Sequence, residues 1–302
     1  MIMKRYLAEF FKTFGYPDPC SKQVSSCYDA IVSDADRNQI LEELLAAYRE
    51  DPCVSYFVLE EYVQRLCHGF AFHEYTVWLL IFVLMSRRLR ELYSENGLSL
   101  SLWQECMSDL KTKTEECWTL YGIWGTFVAS WFPNFYRLKR FSFGRLQIEI
   151  TTFHNEDFVC KDGTVLRTDA PVLAVHIPKS QQPLSKENCD ASYRAAAEFF
   201  GDRFEGDRVF FTCDSWMLYP ETVRILHESS NTRRFAEDFE LISQSKDPDG
   251  EYPSLWRIFD VAYDGDFSKL PEDSFIRRAF KEYLMNGGVM GRGYGVKILP
   301  KA

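Results

Sequence analysis

PVLAVHIPKSQQPLSKENCDASYRAAAEFFGDRFEGDRVFFTCDSW, residues 171–216, is the stretch that decides the fold. Its first eight residues, 171–178, are a nearly continuous apolar run closed by proline at both ends, which predicts a strand. Ser185 then precedes a long amphipathic segment, so the pattern predicts a helix over 185–204 with Ser185 as its N-cap. RVFFTCDSW, residues 208–216, predicts a second strand. PETVRILHES (220–229) follows as a helix with Pro220 in its first turn.

Working outward, FSFGRLQIEITTFH (141–154) has strand alternation, and the turn at Lys161-Asp162-Gly163 closes a hairpin. FAEDFE (235–240) and LWRIFDVAY (255–263) are read as late strands. PEDSFIRRAFKEYLMN (271–286) reads as a last helix stopped by Gly287-Gly288. Gly287, Gly288, Gly291, Gly293 and Gly295 then form a tight turn into a final strand, VKIL. No Gly-Lys-Ser/Thr follows these glycines, and they open no βαβ unit, so neither a P-loop nor a dinucleotide fingerprint is present.

Before residue 130 the apolar period is helical instead. Segments 2–14, 35–49, 55–67, 71–94 and 100–121 read as helices, and none is assigned to 15–34. Ser33 is the expected cap of the second of these. TVWLLIFVLM (76–85) is apolar on every side and belongs in the middle of a bundle. The chain therefore reads as α+β: a helical N-terminal domain over 1–130 and a mixed-sheet domain over 131–302.

Composition supports a folded protein of this size. The 302 residues are 46% hydrophobic and 16% aromatic, so disorder is excluded. The net charge of −9 divides into −6 for residues 1–130 (12 basic, 18 acidic) and −3 for the rest (23 basic, 26 acidic). That balance argues against nucleic acid as a partner. Within the second half, Arg137, Lys139, Arg140 and Arg145 form a local basic strip, either a phosphate-binding surface or a solvated strand face. The 9 cysteines include no C-x-x-C pair, and His68 and His73 fall on different helix faces, so no metal is expected. Unpaired buried thiols, no uninterrupted apolar leader and no run long enough to span a bilayer predict a cytoplasmic protein with no membrane partner.

FYRLKRFSFGRLQIEI (135–150), VLAVHIPKSQQPLS (172–185), FFTCDSWMLYPE (210–221), ESSNTRRFAEDFEL (228–241) and LPEDSFIRRAFKEYLMNGGVMGRGYGV (270–296) follow one another in an order that resembles a family of bacterial two-domain, acyltransferase-like proteins. Members have a helical N-terminal domain and a GNAT-like (acyl-CoA N-acyltransferase) C-terminal domain. The resemblance implies an acyl-CoA, acetyl-CoA or longer, as co-substrate and a small-molecule amine or a peptide as acceptor. It also implies that the pantetheine pairs with strand 171–178, through Val175 and Ile177, where that strand splays from 208–216. The pyrophosphate would then meet the following loop and helix start, through Lys179, Ser180 and Ser185. This loop departs from the GNAT pattern: residues 179–185 contain no glycine, and Pro183 has no N–H to offer.

Amine acylation needs a base to take the ammonium proton before attack on the thioester. His176, on the implied CoA-binding strand, suits that role; a core histidine bonded to backbone is the plainer alternative. Glu149 is a second candidate, as base or amine ligand, against an exposed strand residue. Ser215 at the end of strand 208–216 is a candidate hydrogen-bond donor, with Cys213, Trp216 and Tyr219 around the acceptor; core packing and capping are the alternatives. His227 stands near the register of the GNAT general acid, with Tyr219 the other choice. Two further readings compete. One is a catalytically inactive GNAT-fold binding or regulatory protein, favoured by the glycine-free loop. The other is a Cys213 nucleophile with His176 and Asp190 or Asp214.

Overall fold

The computed structural model describes residues 2–301, which form two compact units, one ending at Lys139 and one beginning at Arg140. The first unit is helical: α1 (Ile2–Phe14), α2 (Asp18–Ser33), α3 (Ala35–Glu50), α4 (Tyr56–Cys67), α5 (Glu74–Glu95), α6 (Leu100–Tyr121) and the single turn α7 (Pro133–Tyr136). The all-round apolar run lies inside α5, where every residue from Val77 to Met85 is buried, and α1, α2, α3, α4 and α6 all pack on it. Its flanking hydroxyls are matched, as buried polar groups must be. Thr76 donates to the Trp124 carbonyl at 2.9 Å and accepts from Gln23 at 3.0 Å. Ser86 donates to the Val83 carbonyl at 2.6 Å and lies 2.8 Å from the Tyr6 hydroxyl.

Helix α2 is the element not foreseen. Its buried stripe is Cys20, Val24, Cys27 and Ile31, spaced as one helix face, but half of it is cysteine. The cap of α3 is Asp34 rather than Ser33: its carboxylate accepts the Arg37 N–H at 3.0 Å. The helical unit also extends past 130, because Phe132, Phe135 and Tyr136 are fully buried. Tyr136 donates to the Phe82 carbonyl at 2.6 Å, and its own carbonyl accepts from Tyr48 at 3.0 Å.

The second unit is built on a six-stranded sheet of order β1-β2-β5-β6-β8-β7. The strands are β1 (Arg140–Phe143), β2 (Leu146–Thr152), β5 (Pro171–His176), β6 (Arg208–Ser215), β7 (Glu240–Lys246) and β8 (Gly291–Pro300); β3 (Phe158–Val159) and β4 (Val165–Leu166) form a separate hairpin. Only β5 and β6 pair in parallel. Helix α8 (Lys186–Phe200) makes the crossover between them, capped by Ser185, whose hydroxyl accepts the Asn188 N–H at 3.4 Å. Short helices α9 (Pro220–Arg224), α10 (Asn231–Glu237), α11 (Leu255–Phe259) and α12 (Phe275–Met285) complete the unit.

Five expectations need correction. FAEDFE (235–240), read as a strand, instead ends helix α10, and β7 begins only at Glu240. The strand read over 141–154 is two strands joined by a tight turn at Gly144-Arg145, where Gly144 has φ +61°. LWRIFDVAY supplies the helix α11 instead of a strand, because Leu255, Ile258 and Phe259 recur with helical spacing and close one core cluster with Phe280 and Leu284. The helix expected over 220–229 stops at Arg224. The glycine run is mostly strand: Gly291, Gly293 and Gly295 lie inside β8. A methyl group on Gly293 would overlap the main chain of Leu218, and one on Gly291 would meet Tyr219 and the Ser245 carbonyl. These glycines let the 216–219 turn lie directly on the strand.

Gly293→Ala is expected to destabilise the protein by about 1–3 kcal/mol through overpacking. Gly201→Ala, where the new atom meets only the Lys301 side chain at ordinary distance, should stay within about 0.5 kcal/mol of wild type. Urea unfolding of both variants checks this; equal losses would contradict the close approach at β8.

Candidate active site

The strand register sorts the sheet into two unlike faces. Phe141, Ile148, Val175 and Phe211 share one face, and α8 covers it: the Phe199 ring packs tilted on Phe141 at 4.9 Å and Tyr193 packs edge-on to Phe211 at 5.1 Å. On the other face, Arg140, Glu149, Ala174, Thr212 and Val296 stand in one cross-strand row. Two residues along, Ser142, Gln147 and His176 form the next row. Polar side chains thus occupy both rows on β1 and β2 and reach β5 at His176, and Arg140, Ser142 and Gln147 are buried. Buried polar residues on a sheet face are costly unless bonded, and their clustering marks a site.

Three of these side chains form one unit. Arg140 donates to Glu149 Oε2 from Nε at 2.9 Å and again from Nη2. The same oxygen lies 3.3 Å from His176 Nε2. Side-chain exposure rises along the chain of contacts, from 6% at Arg140 to 13% at Glu149 and 25% at His176, so the imidazole is the end that solvent reaches. Burial would raise the Glu149 pKa, but the hydrogen bond to His176 and the charge of Arg140 outweigh it and hold the carboxyl down at about 2. A carboxylate that acidic is a poor proton acceptor at neutral pH. Its geometry suits it to orient the histidine.

His176 ends β5 where the sheet forks. The parallel β5–β6 ladder consists of Leu173–Phe211 and Ala174–Thr212, yet β5 continues to His176 and β6 to Ser215. The outer edge of β5 remains paired with β2 as far as His176, and that of β6 with β8 as far as Ser215. The facing edges of the two strands therefore part beyond Ala174. Val175's side chain points into the α8-covered core, so only its backbone can meet a ligand.

The other expected site residues lie elsewhere or are occupied. Lys179 is paired with Asp260 at 2.7 Å, Ser180 accepts the Gln182 N–H at 3.1 Å, and Ser185 is spent on its cap. Ser215 accepts the Met217 N–H at 3.2 Å and so caps the next turn. Trp216 is core, edge-on to Phe280 at 5.4 Å, and Tyr219 is buried against Gly291. His227 lies in a surface turn, where its Nδ1 accepts the Ser229 N–H at 3.1 Å. Cys213 is fully buried and burial pushes its thiol pKa far up, which removes the nucleophile reading. The basic strip is not a solvated strand face: Arg140 and Arg145 are buried, and Arg137 donates to the Val54 carbonyl at 2.7 Å. Arg140 and Gln147 were not singled out as site residues. The signal for both was the alternation of polar residues at 140, 142, 147 and 149 in one hairpin.

Because Glu149 sits near 2 when folded and near its ordinary 4.5 when unfolded, its contribution to stability is complete above 4.5 and is lost as pH falls towards 2. Glu149→Gln should lower stability at neutral pH, and the difference from wild type should shrink steadily between those two values. Calorimetric unfolding from pH 7 to 3 tests this, and a gap independent of pH would contradict it.

Among the described residues no group of three or more His, Cys, Asp or Glu is placed to hold a metal, and no helix is long and apolar enough to cross a membrane. None of the curated proteins compared matches the chain. Solved structures do. An acyltransferase in complex with decanoyl-CoA and teicoplanin is 22% identical, with a TM-score of 0.72 over 97% of this chain and 87% of its own. An acyltransferase in complex with CoA and 10C-teicoplanin is 21% identical at a TM-score of 0.73, with the same coverage of both chains. A mutant acyltransferase in complex with octanoyl-CoA is 20% identical at 0.72, again with that coverage. At this identity the likeness speaks for the fold. Residues 5–138 match the N-acyltransferase N-terminal domain and residues 140–297 the GNAT-like C-terminal domain. With both of its units accounted for, the chain belongs to the family in which an N-acyltransferase N-terminal domain is followed by a GNAT-like C-terminal domain.

Proposed function

We propose that this protein transfers the acyl group of an acyl-CoA to an amine, with His176 as the base. The observation that carries this reading is the fork between β5 and β6 with an oriented imidazole at its mouth. The β5–β6 register ends at Ala174–Thr212, and beyond it the amide-bearing pantetheine arm would lie between the two strands as an added strand does. This brings the thioester to the end of β5, beside His176.

A carboxylate partner at Nε2 selects the tautomer with the proton on that nitrogen, so the lone pair is on Nδ1. The amine attacks the thioester carbonyl, the C–N bond forms, and His176 takes the amine proton. Main-chain N–H groups at 175–177 stabilise the oxyanion. The C–S bond then breaks, and the imidazolium returns the proton to the CoA thiolate. Glu149, held ionised by Arg140, stabilises the imidazolium through this sequence. Neither Tyr219, buried, nor His227, in its own turn, is needed as a separate acid. The related structures hold decanoyl-CoA, octanoyl-CoA and teicoplanin. A medium-chain acyl-CoA, and an amine carried on a larger acceptor, are therefore the first substrates to try.

The occupied side chains of the 179–185 loop favour a second reading, a GNAT-fold binding protein without turnover. Calorimetry and turnover separate the two. The enzyme reading expects decanoyl-CoA to bind, and His176→Ala to lower kcat by about 10²–10⁴-fold with its acyl-CoA affinity unchanged. Binding with no turnover on any amine would favour the second reading, and no binding at high micromolar ligand would sink the first. Cys213→Ala should keep wild-type turnover; loss of activity in a folded variant would revive the cysteine mechanism.

A further inference from the structure

Arg145 is a buried cation with no acidic partner among the described residues. It lies in the β1–β2 turn and is 8% exposed. Its Nη1 donates to the Pro178 carbonyl at 2.8 Å, just beyond the end of β5. Its main-chain N–H donates to the Ser192 hydroxyl on α8 at 3.2 Å. The Nε is buried with no hydrogen-bond partner. Its ionisable neighbour is the Cys189 thiol in the first turn of α8, which burial pushes up to about 11 and so keeps neutral, and burial pulls the guanidinium pKa down. The other cations around this loop are neutralised: Lys179 by Asp260 at 2.7 Å, and Lys186 by Asp190 at 3.0 Å.

The position of this guanidinium is unusual for a second reason. The turn lies against the 178–185 loop, with the site of a Gly144 methyl 3.9 Å from Gln182 Oε1 and 3.8 Å from Ser192 Oγ. Arg145 is thus set beside the N-terminal turn of α8, which is itself positive. The exposed Glu187 stands in that first turn, but it is not among the groups acting on Arg145. A buried charge without a counter-charge is unfavourable. Two positive sources together, with a donor still unspent, form a site that an oxyanion completes.

We propose that Arg145 binds the pyrophosphate of acyl-CoA, and so supplies from the β1–β2 turn the anion contact that a glycine-free loop does not. This rests on the acyl-CoA reading above. Arg145 is a positioning residue for the cofactor, distant in role from proton transfer.

The test is calorimetric affinity for three ligands: decanoyl-CoA, decanoyl-dephospho-CoA, which lacks the 3′-phosphate, and S-decanoyl-pantetheine, which lacks every phosphate. Arg145→Gln should weaken the first two equally, by about 10–100-fold, and leave the third unchanged. Arg145→Lys should recover part of the loss. Unchanged binding of decanoyl-CoA in Arg145→Gln would overturn the proposal. Equal weakening of all three ligands would also overturn it, since that marks a purely structural role. Weakening confined to decanoyl-CoA would assign Arg145 to the 3′-phosphate instead and overturn the pyrophosphate contact. Wild-type protein that binds none of the three would sink the acyl-CoA reading itself, a failure visible before any variant is made.

Discussion

A single carboxylate oxygen, shared by Arg140 and His176, joins three strands of the sheet by their side chains. Glu149 is buried enough that its charge would be untenable alone, and Arg140 is more buried still. Each makes the other admissible. Removing either would take a bonded partner from a buried charge, so the pair has little freedom to rearrange. His176 inherits that rigidity. An imidazole at the end of a strand would otherwise sample several rotamers, and only an oriented one serves as a base at a fixed point.

The same interaction ties catalysis to topology. Arg140 begins β1, Glu149 is its register partner on β2, and His176 stands two residues beyond Ala174, which is opposite Glu149 on β5. Those pairings put all three on one face with no contribution from a loop. The fork needs nothing more than the end of the β5–β6 ladder at Ala174–Thr212. A shift of one residue in β2 would turn Glu149 to the α8 side and leave His176 without its partner.

Much of this was legible in the sequence, for reasons that differ by element. The apolar run at 171–178 and the capped helix after it placed β5, α8 and β6, because strand and helix periods are strong over those lengths. Helix α5 declared itself by being apolar on every side. Helix α2 did not, since Cys20 and Cys27 carry half of its buried stripe and a thiol is easily counted as polar. His176 and Glu149 were visible as candidates, but their contact depends on the β2–β5 register, which no periodicity states. Ser215, Trp216 and Tyr219 pointed to a ligand by their position at a strand end. The glycines of β8 instead let that turn collapse onto the sheet, where these residues cap and pack. The basic strip is not a solvated surface, because Arg140 and Arg145 of the hairpin are buried. One of them then holds Glu149 and another lies beneath the start of α8.

The measurement that reaches the central claim most directly is a structure of the protein with decanoyl-CoA bound. The account predicts the pantetheine arm between β5 and β6 beyond Ala174, with the thioester carbon near residues 175–177 and close enough for His176 to reach an attacking amine directly or through one water. A thioester bound away from the fork, or one that leaves His176 out of reach while Glu149 still holds it, would contradict the account.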